Sequence, residues 1–288
     1  MSKPKLAVSF SGGRTSAYMA RMIQKLNVSD YEIVYTFANT GQEHEKTLEF
    51  VDRCDKEWGL GVVWLEAKVN PEKGKGTRHN VVTYETASRK GEPFEDVIAK
   101  YGIPNMSCRN HCTRETKLAP MRSYLKSIGF QKCESAIGIR VDEIDRINPD
   151  RKKLRLVYPL VEWWPTTKEQ ILDWWSRQPF DLEIPEHLGN CTWCWKKTLR
   201  KHLTLMKDYP EVFEFPERME REHGMSGALA QATGEPQVFF RKNMSVSDIR
   251  ELSKKPFEPF MEQSTQKLLF RLDPLDETNG CEESCEVY

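Results

Sequence analysis

The chain has 288 residues, 39% of them hydrophobic, which is enough to bury a full core and excludes a disordered chain. Lys plus Arg equals Asp plus Glu at 43 each, so no global charge points to nucleic acid, although local basic patches remain open. No apolar run approaches the roughly 20 residues that span a bilayer, and Met1-Ser2-Lys3-Pro4-Lys5 leads into no adequate signal-peptide core, so a cytoplasmic protein without a membrane partner is expected.

The first element predicted is a strand, Leu6-Ala7-Val8-Ser9-Phe10, running into Ser11-Gly12-Gly13-Arg14-Thr15-Ser16 and then a helix carrying an apolar pattern through Ile23. A turn that feeds a helix N-terminus is an anion site, because the first helical N–H groups lack partners and the macrodipole favours negative charge. Gly12 and Gly13 let backbone approach a phosphate, and Ser11, Thr15 and Ser16 offer hydroxyls. The Gly-Lys-Ser/Thr ending of a Walker loop and the three-glycine dinucleotide spacing are both missing, and an isolated Ser-Gly-Gly is more often a plain turn.

Residues 31–41 then read as a second strand ending in Asn39-Thr40-Gly41, followed by a helix over 45–58 and a third strand over 62–66. This β, α, β alternation predicts a parallel sheet with helices on both faces and a ligand at the carboxyl ends of its strands. Residues 69–90 are polar and broken by Pro71, Gly74 and Gly76, so a surface loop or a lid is expected. Cys108 and Cys112 stand four apart on a predicted helix, one face, with Arg109, Arg114 and Lys117 nearby to lower thiolate pKa values. A further strand over 135–140 leads to Arg140 and Arg146, whose partners are either phosphate oxygens or the neighbouring Asp142, Glu143 and Asp145. A helix is predicted over 167–175, and helical, charged sequence from 209 onward includes one helix capped by Ser245 or Ser247.

Six of the eight cysteines form three close pairs, Cys108/Cys112, Cys191/Cys194 and Cys281/Cys285, which in a reducing compartment suggests metal or redox chemistry before disulfides. Four thiolates from the first two pairs suit zinc or an iron–sulfur cluster alike. Glu282, Glu283 and Glu286 would raise the thiol pKa of the last pair.

Ser11-Gly12-Gly13-Arg14-Thr15-Ser16 resembles the phosphate loop of the PP-loop family, the ATP pyrophosphatases and phosphoadenylylsulfate (PAPS) reductases. The likeness extends through Asn39-Thr40-Gly41, with Asn39 in place of the usual Asp, through Cys108 to Pro120, through Gly138 to Arg146, and through Tyr158-Pro159-Leu160 to Trp175. It implies a Rossmann-like α/β domain over residues 1–175, with a helical extension over 176–288 that carries the second cysteine pair. It further implies ATP or PAPS/APS bound by residues 11–16 and 39–41, Mg²⁺, and a 4Fe-4S cluster (alternatively zinc) on Cys108, Cys112, Cys191 and Cys194. Arg140, Arg146, Lys117, Cys281 and Cys285 are the catalytic candidates.

The resemblance offers two chemistries. ATP pyrophosphatases keep this loop intact and adenylylate an acceptor that sulfur then displaces. Dedicated APS/PAPS reductases typically degrade it and attack sulfate sulfur with a tail thiolate. Here the loop is intact and the reductase tail pattern is absent, which favours ATP-dependent sulfur transfer over sulfite release. A non-catalytic nucleic-acid module with structural zinc is the reading from another class. The expected partners are an adenine nucleotide, a sulfur donor or thioredoxin-like reductant, and a nucleic acid as one candidate acceptor, with a homodimer as the candidate assembly.

Overall fold

The computed structural model describes residues 3–25, 31–107, 111–261 and 275. Its centre is a strand of the expected kind: β1 (Lys5–Ser9), whose Leu6 and Val8 are wholly buried, followed by α1 (Arg14–Lys25). β2 (Glu32–Ala38), α2 (Glu45–Trp58) and β3 (Val63–Lys68) complete the first half. α2 has the predicted bounds for local reasons: the His44 side chain accepts from Lys46 N–H at its start, and Gly59 ends it in the left-handed region at φ 63°.

The expected loop over 69–90 contains a strand, β4 (Arg78–Val82), which runs antiparallel to β3 and closes that edge of the sheet. Its sequence, Arg-His-Asn-Val-Val, lacks a clean apolar alternation, and its pairing comes from the neighbouring strand. Then come α3 (Glu92–Tyr101), α4 (His111–Thr113), a π-helical turn over Arg114–Leu118, and α5 (Ala119–Ser127). The π turn has a covalent reason: Pro120 has no N–H to return to the carbonyl four residues back, and Ala119 N–H reaches instead to Arg114 O.

β5 (Glu134–Ala136) pairs in parallel with the other side of β1. α6 (Arg151–Leu154) leads to β6 (Leu156–Val157), a two-residue strand too short to be marked by periodicity. The six strands lie in the order β4-β3-β2-β1-β5-β6, all parallel but β4. The chain therefore reverses its direction of growth between β1 and β5, and the crevice at their carboxyl ends is where such sheets bind ligands.

The helices α7 (Pro159–Glu162) and α8 (Lys168–Ser176) follow, the latter with Thr167 as its capping residue. Beyond them lie α9 (Leu199–Asp208), α10 (Glu214–His223), α11 (Gly227–Thr233) and α12 (Val246–Ser253), the last capped by Ser245. One apolar core runs from Leu6 and Phe37 through Trp175 and Trp193 to Phe213, Phe239 and Val246. No helix among the described residues is long and apolar enough to cross a membrane.

Within this extension Glu220 of α10 accepts from Phe239 N–H at 3.1 Å and Val246 N–H at 3.0 Å. Burial, aided by Asp248 and Glu217, pushes its carboxyl up to about 7, against the pull of those two donors. A raised folded-state pKa means that the native protein holds the proton more tightly. Stability is therefore fully present below the ordinary carboxylate range and lost as pH rises through about 7. The loss expected between pH 4.5 and 8 is on the order of 3 kcal/mol. Thermal midpoints across that range should fall in the native chain and flatten in Glu220→Gln; parallel curves would show that Glu220 is not the group responsible.

Candidate active site

The phosphate loop is closed on itself by its own hydroxyls. Ser11 N–H and Ser11 hydroxyl both donate to Ser16 Oγ (3.1 and 3.0 Å), which donates onward to the Gly13 carbonyl at 3.0 Å. Ala17 N–H returns to Gly13 O, so the N–H groups ahead of it are those that a helix start offers to an anion. Gly12 sits at φ 85°, and a Cβ there would come within 2.7 Å of Thr47 Cγ2. Only glycine allows both the turn and this packing.

Arg140, after β5, is buried and donates to Thr15 Oγ1 at 3.0 Å, which brings it to the first turn of α1. It is also held by Asp142 at 3.1 Å and Glu143 at 3.5 Å, and Arg146 pairs with the other Glu143 oxygen. Both arginines are thus oriented by acids at the crevice, and Arg140 is an interior residue rather than a surface one. Arg14 faces elsewhere: it grips Asp181 through two bonds, at 2.7 and 2.9 Å, and ties the loop to the segment beyond α8.

Asn39 is fully buried at the end of β2. Its amide donates to Glu66 Oε1 (2.6 Å) and the Ser88 carbonyl (2.9 Å) and accepts from Gly41 N–H (3.2 Å), so it fixes the turn over 39–41. An Asp here would set a second carboxylate against Glu66. Asn39→Asp is expected to cost about 3–5 kcal/mol near neutral pH, as an uncompensated buried charge does. Urea unfolding measures it, and Asn39→Asp with Glu66→Gln should recover most of the loss; no recovery would refute the pairing.

Thr40 in the same turn donates its hydroxyl to Glu43 Oε1 at 2.9 Å, and that hydroxyl lies 3.5 Å from Cys191 Sγ. Glu43 also faces Lys117 Nζ at 3.8 Å, a pair whose side chains are 1% and 7% exposed.

Cys112, Cys191 and Cys194 line one small pocket, together with Phe94, Trp193 and Trp195. Cysteines 79 positions apart thus meet at the turn after β2: a bridge of residue 43 with residue 191 and Thr192 N–H donating to Gln42 O at 3.0 Å hold the Cys191 turn there, and the Lys117–Glu43 pair holds the helical turn after Cys112. Lys197, buried, donates to the Cys191 and Thr192 carbonyls (3.0 and 2.6 Å), and His202 bonds the Cys194 carbonyl at 2.9 Å. Burial drives the His202 pKa down to about 3, so the ring is neutral and donates from Nε2. Burial and the nearby Glu43 push the Cys191 thiol well up, against Lys117. A bound cation would offset that cost of the thiolate.

Cys108, Cys281 and Cys285 lie outside the described residues. The sequence reading missed Glu43 and Trp195. Glu43 carried a signal, an acid two positions beyond the Asn39-Thr40-Gly41 turn, and Trp195 directly follows the Cys191/Cys194 pair.

The family model described as the phosphoadenosine phosphosulfate reductase domain matches residues 5–170. The uncharacterized nin region protein ORF290 of Escherichia phage lambda is 33% identical over 287 residues, 98% of this chain and 94% of that protein. An uncharacterized protein of Methanocaldococcus jannaschii is 25% identical over 222 residues, 71% of this chain and 45% of that protein. Among solved structures, the phosphoadenylyl-sulfate reductase of Candida auris aligns with TM-score 0.37 and 15% identity over 60% of this chain and 72% of that chain. The U34-tRNA thiolase NcsA of Methanococcus maripaludis, solved with its 4Fe-4S cluster, aligns with TM-score 0.35 and 14% identity over 98% of this chain and 80% of that chain.

Proposed function

Because the chain belongs to the phosphoadenosine phosphosulfate reductase domain family, we propose that it binds an adenine nucleotide at residues 11–16 and uses it for sulfur transfer beside the cysteine pocket. The observation that carries this reading is the short path between the two. The turn after β2 lies next to the phosphate loop in the sheet, and its Thr40 hydroxyl is 3.5 Å from Cys191 Sγ.

The intact loop favours ATP over a sulfated nucleotide, whose phosphosulfate gives it no pyrophosphate to hold. An acceptor oxygen would attack the α-phosphorus, the bond to the β-phosphate would break, and pyrophosphate would leave with the electron pair. A sulfur nucleophile of the hydrosulfide or persulfide class would then displace AMP. Ser11, Thr15 and Ser16 would hold the departing pyrophosphate with the N–H groups of the α1 start, and Arg140 and Arg146 would neutralise charge developing on the phosphoryl oxygens. Mg²⁺ would arrive on the phosphates, since it usually keeps several waters and needs few protein ligands.

Three thiols around one pocket, with the buried amine of Lys117 close by, form a donor set suited to an anionic thiolate centre. Cys112, Cys191 and Cys194 would hold it, with Cys108 as the fourth ligand. When bound, an iron–sulfur cluster supplies electron transfer or a local field, and zinc supplies structural support.

The test is anaerobic purification with iron, zinc and sulfide analysis, then incubation with ATP and Mg²⁺ in parallel with APS or PAPS and a dithiol. Brown protein that releases pyrophosphate from ATP supports the reading. Sulfite release, lost in Cys281→Ser or Cys285→Ser, overturns it in favour of a reductase. Colourless zinc protein that binds oligonucleotide and no adenine nucleotide overturns it in favour of a binding module.

A further inference from the structure

A buried polar atom of a residue that lines the cysteine pocket has no hydrogen-bond partner among the described residues. Trp195 is 3% exposed and lines the pocket, and its indole Nε1 is buried with no acceptor among the described residues. Leaving such a donor unpaired costs about 1–3 kcal/mol, and in native interiors such a group is normally served by protein, ordered water or a bound group. The other indole lining the pocket behaves differently: Trp193 Nε1 donates to Gln42 Oε1 at 2.6 Å. Asn190 Nδ2, just before Cys191, is likewise buried without a hydrogen-bond partner among the described residues, whereas other polar groups around the cysteines are committed to backbone. Lys197 holds the Cys191 and Thr192 carbonyls, His202 holds that of Cys194, and Thr116 Oγ1 donates to that of Cys112 at 2.8 Å.

An indole nitrogen can donate but cannot ligate a metal, so Trp195 has nothing to offer a bare ion and something to offer a sulfur atom. We infer that the Trp195 indole N–H donates a hydrogen bond to a sulfur of the centre held by Cys112, Cys191 and Cys194, and so raises that centre's reduction potential. The inference rests on the iron–sulfur reading of the pocket given above, since zinc has no redox chemistry. Its physical basis is that reduction adds negative charge to the thiolates and sulfides, and a donor beside them stabilises the reduced form more than the oxidised one. Trp195 is on this view a positioning and tuning residue, and it need not touch nucleotide.

The experiment compares the unsubstituted protein with Trp195→Phe after anaerobic reconstitution with iron and sulfide. Iron and sulfide content are measured first, then the midpoint potential by electron paramagnetic resonance during a redox titration. Equal loading with a more negative potential in Trp195→Phe is the expected result. Equal loading with an unchanged potential overturns the role of Trp195 and leaves the pocket's metal binding standing. An unsubstituted protein that takes up neither iron nor zinc removes both. Should Trp195→Phe fail to fold, the unsubstituted protein labelled with ¹⁵N-tryptophan decides the matter on loading with zinc. One indole N–H signal moving downfield supports the hydrogen bond to sulfur, and all eight signals staying in place overturn it.

Discussion

Replacing Arg140 by methionine is expected to cost about 1–3 kcal/mol of stability, because it leaves buried Glu143 with Arg146 as its remaining cation and takes the partner from Asp142, which is exposed. The same change removes the bond from Arg140 to Thr15 Oγ1 in the phosphate loop. Two effects are therefore mixed in one variant, and Arg140→Lys separates them. Lysine keeps the charge against Glu143 and retains most of the stability, but it cannot bond two oxygens of a phosphoryl group in one plane. Urea unfolding should show Arg140→Lys close to the native chain, while its pyrophosphate release from ATP falls at least tenfold. Equal release by the native chain and Arg140→Lys would make Arg140 a structural clamp alone.

Removal of one pocket thiol is expected to have the second large effect. Cys112→Ser, Cys191→Ser and Cys194→Ser should each lose most of the bound metal, since a hydroxyl is a poor substitute for a soft thiolate. Cys133→Ser is the control, because that cysteine is buried against Ala7, Leu125 and Phe130, away from the pocket. Cys108→Ser should behave like the first three if the expected four-thiolate set is complete. Metal content per chain, read by elemental analysis, decides each case, and unchanged content in Cys191→Ser would remove the centre from this pocket. Thermal unfolding should track the metal, with the three pocket variants alike and Cys133→Ser showing a purely local loss.

The parts of the molecule that were legible in advance are those in which local chemistry decides structure. The strand, glycine turn and helix at residues 5–25, the bounds of α2, the helix over 167–175 and the cap of α12, for which the sequence offers Ser245 or Ser247 and Ser245 is found, each follow from a few adjacent residues. β4 was missed because Arg78 to Val82 becomes a strand only against β3 and α5, a tertiary decision. The pairing of Glu43 with Lys117 joins positions far apart in sequence, and no periodicity announces it. Asn39 shows the same limit from another side. It departs from the family's usual Asp in a way that reads as a lost charge, and Glu66, 27 positions on, supplies the reason. The cysteine spacing pointed to a shared centre, and the fold brings three of the thiols to one pocket; only the contacts of Thr40, Trp195 and His202 describe what surrounds it.

Any ion held by Cys112 and Cys191 together fastens two points 79 residues apart, and so works as a reversible staple. By the loop-closure relation used for disulfides, such a staple takes about 4–5 kcal/mol of freedom from the unfolded chain. The segment between the two cysteines includes β5, β6 and the arginines of the crevice. Oxidative loss of the centre would release that segment from its staple, so a chemical injury to sulfur would be felt as weakened grip on phosphate by the arginines it carries.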